Sequence, residues 1–346
     1  MLKDYLSQAI GGQDLSREDA RAAMQVIMSG QASEAQIGAF LTAMRMKGET
    51  SLEVAGFAET MRSQALKVEC SSKKLIDTCG TGGDRQGTFN ISTTTAFVLA
   101  GAGLNVAKHG NRGVSSSCGS ADVLSTLGIK LELPPKAVSE AIDTIGVGFI
   151  FAPSFHQAMK YAVKPRKELG FRTVFNLLGP LTNPANANYQ LIGVYDPALT
   201  TKVAHALAEL GVTSAMVVHS MDGLDEISTA SPTKVAEVRG EEIRSYVIEP
   251  QEYGFKRCTL ADYHGGTMED NAQIVIRLLK GEQGFKRDIV LLNAAAALVV
   301  ADAANDIAEG IKLAASSIDS GNAYSKLEEL RNFTQNYQDR SELLLS

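Results

Sequence analysis

The chain has 346 residues, 45% hydrophobic and 21% charged, the composition of a globular protein long enough for about two domains. Its formal net charge of −6 and the lack of a basic stripe argue against a broad nucleic-acid surface. No stretch approaches the roughly 18 apolar residues of a spanning helix, the N-terminus has no apolar signal run, and the four cysteines form no CxxC pair. The expectation is therefore a cytoplasmic protein with reduced thiols, no membrane partner and neither a zinc ribbon nor a disulfide scaffold.

Residues 1 to about 72 read as a small bundle of short helices. Ser16–Asp19, Ser33–Gln36 and Thr50–Glu53 each fit or nearly fit a capping box, in which side chains at both ends satisfy N–H groups of a first turn. Apolar residues follow at helical spacing: Ala23 and Ile27; Ile37, Phe40, Leu41 and Met44; Val54, Phe57 and Met61. Gly30 and Gly48 mark helix ends.

After Lys74 short apolar runs alternate with helical stretches. Leu75–Asp77 precedes Thr93–Ala102; Leu104–Ala107 precedes Gly119–Leu127; Gln190–Val194 precedes Ala198–Leu210, with Ala215–His219 beyond. This alternation predicts an α/β fold with a mainly parallel sheet flanked by helices. Leu178–Pro184 is rich in turn formers and reads as a connection or hinge.

Two glycine-rich loops carry the chemistry. The first, from Asp77 through GTGGD at 80–84 to Thr88, Asn90, Ser92 and Thr93, runs from a strand end to a helix start. Gly80, Gly82 and Gly83 permit close backbone approach, and the helix start offers N–H and hydroxyl donors suited to phosphate. It is neither a Walker loop nor a dinucleotide fingerprint, because Arg85 stands where the last glycine of the latter would be. The competing view is a plain strand-to-helix turn, which needs one glycine rather than three. The second loop, Lys108 to Asp122, brings the cations Lys108 and Arg112 among Ser115, Ser116, Ser117, Gly119 and Ser120. Loops at the carboxyl ends of parallel strands share one rim, so two phosphate-type loops imply a substrate with two anionic ends.

Asp225 and Glu226 follow the apolar run Ala215–His219. Paired carboxylates at a strand end suit Mg²⁺, which prefers oxygen ligands and bridges to substrate phosphates. A solvated loop is the bland alternative and proton transfer the rival role; the two phosphate loops favour metal binding. Arg166 could meet a carboxylate through a bidentate fork, or be an ordinary helix-surface arginine. His205 and His264 read as structural, and no Ser-His-Asp or Cys-His arrangement stands out.

Together these strings resemble the anthranilate phosphoribosyltransferase family over almost the whole chain. The most specific are GTGGD at 80–84, TFNIST at 88–93, KHGNR at 108–112, GSAD at 119–122, RKELGFRTVFNLLGPLTNPA at 166–185 and DGLDEIS at 222–228. The resemblance implies a homodimer whose subunits hold the active site in a cleft between a small helical and a larger α/β domain. The division expected is 1–72, joined by roughly 165–180, against 73–164 with 181–346. It implies Mg²⁺-dependent transfer of the phosphoribosyl group from 5-phosphoribosyl-1-pyrophosphate to anthranilate, in tryptophan biosynthesis, with two metal ions per subunit.

By the same resemblance, the phosphoribosyl pyrophosphate would be surrounded by Gly80, Gly83, Asp84, Thr88, Asn90, Ile91, Ser92 and Thr93, together with Lys108, Asn111, Arg112, Ser115, Ser116 and Ser120. Ser92, Asp225 and Glu226 would serve the metal. Gly80, Asn111 and Arg166 would contact anthranilate, with His109 and His156 nearby, and no dedicated acid or base is implied. The chain departs from the family pattern at Gln157, where proline is usual, at Pro165, one residue late, at Ser220 in place of glycine and at Thr267 in place of aspartate. A nucleoside phosphorylase of related architecture would not need the Asp225–Glu226 pair. A nucleic-acid-binding relative should be basic and lack it.

Overall fold

The computed structural model describes residues 1–84, 86–113 and 118–337. Four helices come first: α1 (Leu2–Ile10), α2 (Arg17–Met28), α3 (Glu34–Lys47) and α4 (Ser51–Gln64). Two expected capping boxes are complete. Ser33 Oγ accepts from Gln36 N while Gln36 Oε1 accepts from Ser33 N, and Thr50 and Glu53 exchange the same pair of bonds. The third is half made: Ser16 Oγ accepts from Asp19 N, but the shorter Asp19 carboxylate takes the Ser16 hydroxyl instead of a backbone N–H.

All nine apolar positions picked out by helical spacing lie in one buried cluster. Glu53 does more than cap. It is fully buried, and its carboxylate accepts from Leu15 N at 2.7 Å, Thr50 N at 2.7 Å and Lys47 Nζ at 2.9 Å. Lys47 also binds Asp14 at 2.6 Å, so one charge cluster ties the entry to α2, the end of α3 and the start of α4.

The rest of the chain is built around a seven-stranded sheet. In order come β1 (Leu75–Gly80), α5 (Ile91–Gly101), β2 (Asn105–Gly110), α6 (Ser120–Thr126), α7 (Pro135–Ile145) and β3 (Val147–Phe151). Three helices follow: α8 (Ala152–Phe155), α9 (Lys160–Leu169) and α10 (Phe175–Leu181). Then come β4 (Tyr189–Gly193), α11 (Leu199–Glu209), β5 (Ser214–Ser220), β6 (Thr233–Arg239) and β7 (Glu242–Ile248). The chain closes with α12 (Met268–Leu279), α13 (Phe285–Val300), α14 (Ile307–Asp319) and α15 (Asn322–Asn336).

The strand order is β3-β2-β1-β4-β5-β6-β7. The first five are parallel, and β6 and β7 extend the sheet antiparallel. Successive side chains divide two cores, as the pleat requires. Leu191, Met216 and Val218 face a core shared with α5, α12, α13, α14 and α15. Ile192, Ala215 and Val217 face the core that holds α11 and the N-terminal helices.

The segment expected as a turn, Leu178–Pro184, is a helix in its first part: α10 runs to Leu181 with Pro180 inside it. Phe175, Leu177, Leu178 and Leu181 bury themselves in the core of the N-terminal bundle, and this burial overrides the local turn preference. The connection proper begins at Thr182.

Removing one partner of a buried ion pair costs about 3–5 kcal/mol, and removing an N-cap hydroxyl about 1 kcal/mol. Glu53→Ala should therefore lower the unfolding free energy in urea several-fold more than Thr50→Ala. Equal losses would show that Glu53 acts as a cap alone.

Candidate active site

The chain passes from β1 out to β2 and β3, then returns to the other side of β1 as β4. Such a switch point leaves a crevice at the carboxyl ends of the two strands. Here those ends are Gly80 and Gly193, paired across the sheet. Asp225, on the loop after β5, presses into this place. A Cβ at Gly80 would run into the Asp225 carboxylate, and one at Gly193 into its backbone carbonyl. Asp225 Oδ2 accepts from Gly82 N at 2.9 Å, and Glu226 Oε1 accepts from Ser92 N in the first turn of α5 at 3.2 Å.

The electrostatics are those of a site short of positive charge. Burial, then the neighbouring Asp84, pushes the Asp225 carboxyl well above the usual carboxylate range. Burial, then Asp225, does the same to Glu226, with Lys108 acting in the opposite sense. Lys108 is buried. Its Nζ donates to Thr78 O and lies 3.5 Å from Ser92 Oγ. Carboxylate and hydroxyl oxygens crowded in this way fit a hard divalent cation. Among the described residues no three His, Cys, Asp or Glu side chains form an all-protein cage. Mg²⁺ does not require one, since it keeps waters and shares substrate phosphates.

The remaining expected donor-loop residues take several positions. Thr88 forms a backbone bridge with His264. Asn90 Nδ2 donates to Cys118 O at 3.2 Å, joining the two glycine-rich loops, while its Oδ1 is buried without a partner. Thr93 Oγ1 is likewise buried and unpartnered. Ile91 differs: its side chain is in the core and its N–H goes to Phe89 O. Asn111 Oδ1 accepts from Arg112 N, and Asn111 O accepts from Ser120 Oγ. Arg112 pairs with Asp122 at 3.1 Å and sits over the Phe151 ring. Ser115 and Ser116 lie outside the described residues.

Near the end of β2, His109 meets His156. The His109 and His156 rings are 5.1 Å apart between centroids. His109 Nδ1 is 3.2 Å from Gly179 O, and both Nε2 atoms are buried without partners. Burial, then the His156 ring, holds His109 down to about 3, and burial holds His156 down to about 4. Both rings are therefore neutral at pH 7. Arg166, on α9, is half-buried and lies 5.1 Å from the centroid of the Phe175 ring. No carboxylate pairs with it among the described residues, and burial alone lowers its basicity.

Sequence reasoning missed the buried frame of this group. Asp77 Oδ1 accepts from His109 N at 3.2 Å, and Oδ2 accepts from Asn183 Nδ2 at 2.8 Å. Asn183 Nδ2 also reaches Ala107 O at 2.7 Å. The signal was an aspartate directly after the apolar pair Leu75–Ile76 at the start of a strand. The departures from the family pattern are accommodated. Gln157 is exposed on a 3₁₀ turn, Pro165 is buried within α9, and Ser220 is buried at the end of β5. Thr267 caps α12 by accepting from Asp270 N.

Comparison with known proteins follows the same architecture. Residues 3–65 match a glycosyl transferase family helical bundle domain, and residues 72–324 match the α/β domain of the same family. These two matches define the class as a two-part glycosyl transferase. Among curated relatives, an anthranilate phosphoribosyltransferase of Pelotomaculum thermopropionicum is 53% identical over 97% of this chain and 97% of its own. That of Moorella thermoacetica is 54% identical over 95% and 97%. The crystal structure of the Thermus thermophilus enzyme superposes with a TM-score of 0.92 at 42% identity, covering 96% of this chain and 99% of that one. The Saccharomyces cerevisiae enzyme in complex with PRPP and Mg gives a TM-score of 0.89 at 29% identity, covering 97% and 98%. The chain belongs to the anthranilate phosphoribosyltransferase family.

The buried histidines generate a pH prediction. Their folded values lie below the unfolded value of about 6.5, so the unfolded chain binds more protons between about pH 3 and 6.5. Stability from this source is complete above pH 6.5 and is lost as pH falls toward 4. The doubly substituted His109→Gln, His156→Gln protein should lose less stability between pH 7 and 4.5 than the unsubstituted chain, read as the shift of urea midpoint. An identical shift would show that these rings titrate normally.

Proposed function

We propose that this chain transfers the 5-phosphoribosyl group of 5-phosphoribosyl-1-pyrophosphate to the amine of anthranilate, giving N-(5-phosphoribosyl)anthranilate and pyrophosphate, in tryptophan biosynthesis. The observation that carries this reading is the half-buried Asp225–Glu226 pair, set against the glycine-rich loop and the start of α5, with Lys108 alongside. Relatives support it. Besides the complex with PRPP and Mg, the Saccharomyces cerevisiae enzyme has been solved with 4-fluoroanthranilate.

In this reading Gly80, Gly83, Asp84, Thr88, Asn90, Ser92, Thr93 and Lys108, with Asn111, Arg112, Ser115, Ser116 and Ser120, surround the donor, and Ile91 anchors the helix start from the core. Ser92, Asp225 and Glu226 hold magnesium, two ions per subunit. Bound Mg²⁺ supplies charge to offset the departing pyrophosphate. Lys108, held by Thr78 O, contributes a fixed positive charge beside it. The C1–O bond breaks with its electron pair leaving on pyrophosphate, a C1–N bond forms, and the amine proton passes to water or to the released pyrophosphate.

An aromatic amine is itself a nucleophile, so the chain supplies orientation rather than a strong base. Arg166 grips the acceptor carboxylate. Gly80, Asn111 and the neutral His109 and His156 border the acceptor, and the unpartnered Nε2 atoms of the two histidines face demands that a polar ligand can meet.

The small domain comprises residues 1–72 with roughly 165–180, and the large one 73–164 with 181–346. The burial of α10 residues in the N-terminal bundle supports the division. The subunit works as a cytoplasmic homodimer. Ile10, Met46 and Val163 are exposed on α1, α3 and α9, and α3 packs against both of the other two, so these helices offer apolar side chains to a second copy. The acidic charge speaks against a nucleic-acid partner.

Two variants separate the two ends of the site. Hydrogen bonds to a charged group are worth about 1.5–3 kcal/mol, so Arg166→Ala should raise the anthranilate KM roughly 10–100-fold and leave the donor KM nearly unchanged. Asp225→Asn with Glu226→Gln should weaken the magnesium dependence of turnover by at least about 100-fold. Equal rises in both KM values, or an unchanged magnesium titration, would overturn the respective assignment.

A further inference from the structure

We propose that Arg172 is a positioning residue for the donor, clamping the glycine-rich loop at Gly83. This rests on the reading that the loop at 80–84 holds the donor. Arg172 lies between α9, which bears Arg166, and α10. Its Nη2 donates to Gly83 O. Gly83 has φ +81°, and a Cβ there would stand 2.9 Å from that same nitrogen. The guanidinium thus occupies the space that the missing side chain leaves open, and an alanine would be both strained and crowded.

The clamp is itself braced. The Arg172 guanidinium lies 3.8 Å from the Tyr195 ring centroid. Tyr195 N donates to Thr81 Oγ1 at 3.1 Å, and Thr81 N donates to Gly193 O at 2.9 Å. The stretch Thr81–Gly83 is therefore gripped at both ends by one assembly: β4 and its extension at Thr81, and Arg172 at Gly83. The chain beyond Arg172 is pinned by Thr173 N donating to Asn176 Oδ1 at 3.0 Å.

The clamped stretch includes Gly82, whose N–H donates to Asp225 Oδ2 at 2.9 Å, and it leads directly into Asp84. Arg172 accordingly acts on the donor and the metal through the loop, without needing to touch either. A planar, stacked guanidinium suits this role, and an ammonium group cannot reproduce the stacking.

The test is steady-state kinetics of Arg172→Ala and Arg172→Lys, with the melting temperature of each. Arg172→Ala should raise the donor KM and the magnesium concentration for half-maximal rate about 10-fold or more, the scale of lost second-layer support at a metal site. The anthranilate KM should move less than about twofold, with Tm nearly unchanged because the side chain is only half-buried. Arg172→Lys should recover part of the donor KM. If both KM values rise together while Tm falls, Arg172 is merely structural and the proposal is overturned. Unchanged kinetics in both variants would overturn it too. Asp225→Asn, run in parallel, separates the premises: if it also leaves the donor KM and magnesium dependence intact, the donor-site reading has failed rather than the clamp alone. Should Arg172→Ala not fold, Arg172→Lys carries the same readouts.

Discussion

The site depends on one close approach. Asp225 sits against the paired strand ends Gly80 and Gly193, where no other residue leaves room for it. Three separate stretches meet there: the turn after β1, the end of β4 and the loop after β5. The approach half-buries the Asp225 carboxylate, which accepts from Gly82 N, and sets Glu226 beside the first turn of α5. Half-burying two carboxylates and facing them with a third, Asp84, is costly unless positive charge arrives. Lys108 offsets part of this; a divalent cation brought with a phosphorylated substrate would offset the rest. The repulsion in the unliganded site thus becomes affinity for a metal-bound donor.

The surroundings of His109 are built on different physics. His109 is fixed through its backbone by buried Asp77, and Asp77 is held by Asn183 from the connection after α10. Because α10 packs in the N-terminal bundle while Asp77 lies in the sheet, this network spans the bundle-packed helix and the sheet. Arg166 and Arg172, six positions apart in the sequence, are held in different ways. The first is a half-buried cation with no carboxylate partner among the described residues, and the second is committed to Gly83 O and the Tyr195 ring.

What could be read from the sequence was local. Capping boxes at Ser33 and Thr50 each span four residues, so their chemistry is written in near-adjacent letters, and the strand-helix pairs around β1, β2 and β4 show in short-range hydrophobicity. The glycine-rich loops and the Asp225–Glu226 pair were legible because each is a compact string. The features that escaped are long-range. Gly193 against Asp225 and Asn183 against Asp77 join residues far apart in sequence, which a residue type alone does not announce. Strand β7, with mostly exposed residues, has no alternating apolar pattern to reveal it. The turn expected at 178–184 failed at its start because burial of Leu178 and Leu181 outweighed Gly179 and Pro180. Ile91 lies inside a phosphate-type string, but its side chain is packed in the core, and only tertiary structure distinguishes it from its neighbours.

The most direct measurement is the fluorescence of anthranilate followed over time with the purified chain, Mg²⁺ and 5-phosphoribosyl-1-pyrophosphate, omitting one component at a time. The arrangement of Asp225, Glu226, Lys108 and Arg166 predicts that fluorescence falls only in the complete mixture and stays constant when donor, metal or protein is left out. A constant signal in the complete mixture with folded protein, or an equal fall without Mg²⁺, would contradict it.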